Sequence, residues 1–109
     1  MVICKLLGSN LKLYLDDQRP APPGWELAKT ADDAIELLRT GNVVELSLDY
    51  DLGDPAYGTG LQVLTWLESA LEEGRVRMPR MSAHSASPLG RRRLEAQIEW
   101  LEQRFTRQT

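Results

Sequence analysis

The chain predicts a layered α/β fold with a mostly parallel sheet. Two patterns carry that prediction. Short apolar runs recur along the sequence, and all but the first are followed by a helix-periodic segment. The run at residues 43–48 is nearly continuous in apolar character, as in a parallel strand covered on both faces. In such sheets ligands sit beyond the carboxyl ends of the strands. Asp16, Asp17, Asp49 and His84 all fall at such ends, so a site is expected there.

Residues 2–7 are apolar with one lysine and read as an edge strand or a loose extension within residues 1–10. Gly8-Ser9-Asn10 is a turn signal, and residues 11–15 alternate as a strand. Pro20, Pro22, Pro23 and Gly24 exclude a helix after Asp16-Asp17-Gln18-Arg19. Residues 25–28 read as a short strand. Thr30 is placed to cap the next helix, with Asp33 in a box-like position. Ala31, Ala34, Ile35 and Leu38 share its inner face, and Gly41 suits its end.

After the central strand, Thr59 and Gln62 have capping-box spacing. Val63, Leu64, Leu67, Ala70 and Leu71 form the stripe of a helix that stops near Gly74. Residues 78–83 read as a short strand. Ser87-Pro88 is a cap followed by proline at the first helical position. Leu94, Ile98, Leu101 and Phe105 then mark a final amphipathic helix. Trp25, Trp66 and Trp100 read as core or interface residues rather than base-stacking platforms.

A chain of 109 residues fits a single domain, residues 1–109. A hydrophobic content of 42% and a charged content of 27% are ordinary for a globular protein. The net charge of −3 shows no global field toward DNA or an anionic membrane. One cysteine, Cys4, cannot close an internal disulfide, and no apolar run is long enough to span a bilayer. A cytoplasmic location is expected.

Clustered carboxylates repel unless one is protonated or a cation binds. Asp16, Asp17 and Asp49 offer hard oxygen donors suited to Mg²⁺ or Mn²⁺. The same residue type also forms turns and caps helices, which is the reading for Asp51 and Asp54. An EF-hand is excluded, because Gly53 and Gly60 stand where acidic ligands belong. His84 can move a proton near neutral pH. A Ser-His-Asp hydrolase is not expected: no G-x-S-x-G elbow is present, and Ser85 is adjacent to its supposed base. Arg91-Arg92-Arg93 sit in the first turn of the last helix, where an anion would relieve their conflict with the helix dipole. Arg19 is a further phosphate ligand candidate. Gly58-Thr59-Gly60 could cradle an anion through Gly58 and Gly60.

Asp16-Asp17, Asp49, the run from Gly58 to Leu64, and Ser85-Ala86 resemble a response-regulator receiver domain. The proline loop stands in place of the first receiver helix, and the chain ends one strand–helix unit early. No lysine follows Lys29, so phosphoryl-aspartate signalling at Asp49 is not expected. The resemblance to the cyclic-phosphate processing receiver-like family is closer. It rests on Leu15 to Pro20 with Pro22-Pro23-Gly24-Trp25, on Ser47 to Asp54, on Gly58 to Leu67, and on His84 to Arg91. Tyr50 stands where members usually carry histidine, and Ser87 where they often carry asparagine.

The resemblance implies a small flavodoxin-like, receiver-like three-layer sandwich without the first receiver helix and the last strand–helix unit. It also implies action on cyclic phosphates of nucleotides or RNA ends. The expected activity is a metal-assisted phosphoesterase. Asp49, His84 and Ser85 would be catalytic. Asp16, Asp17 and Asp49 would hold the metal, and Arg19, Arg91, Gly58 and Gly60 the phosphate. The alternative is a non-catalytic receiver-like module that binds a protein or a nucleotide.

Overall fold

The computed structural model describes residues 10–106, so the expected extension at residues 2–7 lies outside the described residues. Four strands form one parallel sheet: β1 (Leu11–Leu15), β2 (Glu26–Ala28), β3 (Val43–Leu48) and β4 (Arg80–Ala83), in the order β2-β1-β3-β4. Three helices accompany them: α1 (Ala31–Arg39), α2 (Gly60–Glu72) and α3 (Pro88–Thr106). The proline segment between β1 and β2 holds no helix, and the receiver-like α/β fold is present in the shortened form expected.

Local chemistry sets the helix boundaries. The Thr30 hydroxyl accepts the Asp33 amide at 3.0 Å and starts α1. At α2 the Thr59 hydroxyl accepts the Gln62 amide, while the Gln62 side chain accepts the Thr59 amide at 2.9 Å. That reciprocal box satisfies two helix-end donors. Ser87 Oγ accepts the Gly90 amide at 3.1 Å and starts α3, with Pro88 following.

The core lies between the helices and one sheet face. Leu13, Leu15, Leu46 and Leu48 point into it, and each is fully buried. They meet Ala34 and Leu38 of α1, Val63, Leu64 and Leu67 of α2, and Leu94, Ile98 and Leu101 of α3. The helices pack side by side, with α2 between α1 and α3. Right-handed crossovers explain this placement. The steps β2-α1-β3 and β3-α2-β4 both advance in the same direction along the sheet, so their helices fall on the same side. In a three-layer arrangement the reversed step from β1 to β2 would carry a helix on the other side, and here it is the proline loop.

Two layers are therefore present among the described residues, and the expected third layer is not. Lys12 and Tyr14, Glu45 and Ser47, and Arg80 and Ser82 line the opposite face in paired register. Arg80 has 76% of its side chain exposed there. Among the described residues the central strand is thus covered by helices on one face only. Its alternating Glu45 and Ser47 are the polar side of that arrangement.

Candidate functional site

The sheet ladder continues past the strand ends and fixes three side chains beside each other. The Asp16 amide donates to the Ala28 carbonyl at 3.0 Å, and the Asp49 amide to the Leu15 carbonyl at 3.1 Å. The His84 amide donates to the Leu48 carbonyl at 2.9 Å. Asp16, Asp49 and His84 consequently offer one ligand atom each, all within 4.8 Å of one another. Among the described residues they form the one such cluster.

A cavity of about 350 Å³ opens over these strand ends. Asp16, Asp17, Arg19, Asp49, Asp51 and Gly53 line it, with Gln18 and the Ser85-Ala86-Ser87 turn. Asp16 is 1% exposed. Its Oδ1 accepts the backbone amides of Gln18 at 2.8 Å and Arg19 at 3.1 Å. Its Oδ2 lies 3.1 Å from His84 Nε2 and 3.6 Å from Arg19 Nη1. Burial raises the Asp16 carboxyl, but those two amides and His84 outweigh it and hold the group below its ordinary value. Asp49 goes the other way. Burial and then the Asp16 charge push it up, against a hydrogen bond from Ser85, the charge of His84 and the Tyr50 amide. One carboxylate is thus firmly ionised, and its neighbour is held closer to protonation.

His84 does not line the cavity; it stands behind Asp16. Its Nδ1 lies 2.7 Å from Ser47 Oγ, which receives the Ser82 hydroxyl at 3.4 Å. An ionised Asp16 can only accept, so Nε2 carries the proton facing it. The side chains thus line up as Ser82, Ser47, His84 and Asp16. Its ring stacks on Tyr14 with centroids 4.2 Å apart and planes 3° from parallel. Sequence reasoning did not single out Tyr14 and Ser47. The available signal was their position, each two residues before a site aspartate and so on the same side of its strand.

Ser85 is buried, lines the cavity and bonds Asp49. Arg19 lies at the rim and also donates to the His84 carbonyl at 3.2 Å. Asp17 lines the cavity but is outside the cluster of three. Its Oδ2 would lie 2.8 Å from a Cβ on Gly53, so that carboxylate rests against the facing loop. Asp51 bonds the Gly53 amide at 2.9 Å, and Asp54 caps the short 3-10 turn Pro55–Tyr57. Both shape the loop, as their positions suggested.

Three expected phosphate ligands are placed elsewhere. Arg91 pairs with Glu95 at 4.0 Å and is absent from the lining. Gly58 and Gly60 also stand outside it, for a packing reason. A Cβ on Gly58 would come within 2.8 Å of Ala31 Cβ, and one on Gly60 within 2.5 Å of the Asp49 carbonyl. Tyr50 stands outside as well. Its ring packs against Gly90, and its hydroxyl lies 3.5 Å from Arg93 Nη1.

A parallel α/β domain with paired acids and a hydroxyl residue at its strand ends defines a receiver-like protein. Residues 11–100 match the cyclic-phosphate processing Receiver domain, and the chain belongs to that family. No curated protein and no solved structure matches the chain. No helix of the described residues is long and apolar enough to cross a membrane.

Proposed function

We propose that this chain is a metal-assisted phosphoesterase that opens cyclic phosphates of nucleotides or RNA ends. The observation that supports it is the convergence of Asp16 and Asp49 in a cavity also lined by Arg19, with His84 held behind Asp16. The donor set suits a divalent cation, because two carboxylates near enough for Asp16 to disfavour ionisation of Asp49 gain from a shared positive charge. Asp16 and Asp49 would hold Mg²⁺ or Mn²⁺, with Asp17 at the rim. A cation there supplies charge stabilisation at a phosphoryl oxygen and lowers the pKa of bound water.

The chain's own residues do the rest. Arg19 binds phosphate oxygens and can do so through two nitrogens. Ser85 orients Asp49, and the Ser85-Ala86-Ser87 turn closes the opposite wall. His84 acts through Asp16, whose carboxylate it orients. Hydrolysis adds a water oxygen to phosphorus and breaks one ring P–O bond, leaving a phosphomonoester and a hydroxyl. The test is incubation of purified protein and Mg²⁺ or Mn²⁺ with 2′,3′-cyclic mononucleotides and cyclic-phosphate RNA, followed by phosphorus NMR. Unchanged substrates would overturn the reading.

A second reading is a binding module without turnover. The chain has one histidine, and Tyr50 stands outside the cavity. Under that reading Asp49→Asn and His84→Ala alter binding only. Under the first, both abolish turnover with the fold retained.

A further inference from the structure

The sheet face opposite the helices carries aromatic rings and cations that the cavity chemistry does not use. Trp25 meets Tyr14 edge-on at 6.1 Å between centroids, with planes at 78°. Tyr14 in turn stacks on His84. The three rings run from the β2 edge to the cavity, where His84 touches Asp16. No helix of the described residues covers them, and Trp25 and Tyr14 are each partly exposed. Trp25, read from sequence as a core or interface residue, stands half-buried on this face.

The charge beside the rings is positive. Lys12 Nζ lies 5.8 Å from the Trp25 ring centroid. Glu45 is shared between Lys12 at 3.9 Å and Arg80 at 3.4 Å. That row therefore holds two cations on one carboxylate, within a chain whose net charge is −3. Arg19 adds a third cation where the face meets the cavity. Rings on a sheet, with cations beside them, are a general means of binding single-stranded nucleic acid: bases stack on the rings and phosphates meet the cations.

The geometry points to this open face as a single-stranded RNA platform, along which the 3′ end of a strand is led into the Asp16–Asp49 cavity. A base stacks on Trp25, which Tyr14 and His84 brace from behind, backbone phosphates meet Lys12 and Arg80, and the terminal phosphate passes Arg19. The terminal-phosphate step rests on the phosphoesterase reading; the platform does not. RNA is the strand named because a 2′,3′-cyclic phosphate requires a ribose 2′-hydroxyl. The inference narrows the substrate class from free nucleotides to RNA ends.

The test compares dissociation constants for three ligands: a short single-stranded RNA ending in a 2′,3′-cyclic phosphate, the same RNA ending in a 3′-hydroxyl, and a 2′,3′-cyclic mononucleotide. Both RNAs bind more tightly than the mononucleotide. Trp25→Ala weakens RNA binding by about 5-fold or more, as expected for removal of one base stack. Lys12→Ala with Arg80→Ala lowers the steepness of log K against log salt by about 1.4, at roughly 0.7 for each phosphate no longer neutralised. Both of those residues are surface cations, so this pair keeps the test decisive if Trp25→Ala does not fold. RNA that binds no more tightly than the mononucleotide overturns the platform, as does an unchanged salt slope in the double variant. In that case the face is left to a protein partner. RNA binding without turnover of any cyclic phosphate supports the platform and removes the phosphoesterase reading. Turnover of the mononucleotide without preferential RNA binding does the reverse.

Discussion

His84 and Asp16 are joined by one hydrogen bond, with Nε2 lying 3.1 Å from Oδ2. Asp16 is 1% exposed and ionised, so it depends on its donors. His84→Ala removes one of them, leaves Ser47 Oγ without its imidazole partner and uncovers a face of Tyr14. Hydrogen bonds to charged groups contribute about 1.5–3 kcal/mol each. A loss of that size is expected in denaturant unfolding, along with loss of turnover. Unchanged stability would show that His84 does not hold Asp16 in place.

Asp16 and Asp49 respond to pH with opposite signs. The Asp16 carboxyl is lowered in the folded state. Its stabilisation is present above the unfolded value and is lost as pH falls through the folded one. The Asp49 carboxyl is raised. Its ionisation costs stability at neutral pH, and that cost disappears as pH falls through its raised value. Asp49→Asn should therefore raise Tm at neutral pH while abolishing turnover, whereas Asp16→Asn should lower Tm. Each 1 kcal/mol corresponds to about 4–8 °C in a domain of this size. The Asp49→Asn gain should shrink on acidification. Two Tm shifts of the same sign at neutral pH would contradict the electrostatic account.

The same repulsion makes cation binding measurable without any substrate. A divalent ion that engages both carboxylates binds the folded state and raises Tm by mass action. Mg²⁺ or Mn²⁺ is expected to raise the Tm of the parent protein and to leave that of Asp49→Asn nearly unmoved. Affinity should weaken as pH falls, because protons compete for Asp49 at its raised value. Equal Tm gains in both proteins would place the ion elsewhere.

The strand ends were readable from sequence because two local rules agree there. Alternation marks each strand, and chemistry beyond a parallel strand's carboxyl end marks a site, which brought out Asp16, Asp49, His84 and Ser85. Helix starts at Thr30, Thr59 and Ser87 were readable from capping chemistry. What escaped depends on registry between strands. That His84 turns back toward Ser47 and Tyr14, behind Asp16, follows from the pairing of Tyr14 with Ser47 and of Ser47 with Ser82. No single segment encodes those pairings. That the described residues hold no third layer follows from topology: the proline loop was visible, but its consequence for coverage appears only once the strand order is known. At Gly60 and Arg91 the structure shows close packing on the Asp49 carbonyl and a pair with Glu95, neither of which a motif reading of one segment contains.

Gly60 offers a direct separation of packing from anion binding. A Cβ there would sit 2.5 Å from the Asp49 carbonyl oxygen and 3.1 Å from Leu94 Cδ2. The backbone oxygen belongs to a strand end tied into the sheet and cannot move aside without moving Asp49. Gly60→Ala is expected to cost about 1–3 kcal/mol in the ligand-free protein, the usual range for overpacking. A variant of normal stability that has lost only phosphate affinity would restore the anion-cradle reading.

Tyr50 occupies the position where the family usually carries histidine, and its surroundings give it a structural task. A Cβ on Gly90 would lie 2.8 Å from the Tyr50 Cβ and Cγ, so the ring lies directly on the start of α3. Its hydroxyl is 3.5 Å from Arg93 Nη1, at the outer limit of a hydrogen bond, and does not face the cavity. Tyr50→Phe keeps the ring and removes only the hydroxyl. The expected change in stability is within about 0.5 kcal/mol, as for a surface substitution, and turnover should persist across the pH range. Tyr50→Ala removes the ring beneath Gly90 and should destabilise the start of α3, which carries Ser87 and hence the wall of the cavity. Loss of turnover in Tyr50→Phe with the fold intact would make the phenol a participant in the chemistry. Loss in Tyr50→Ala alone, accompanied by a lower Tm, would confirm that Tyr50 serves the site by holding the helix that shapes it.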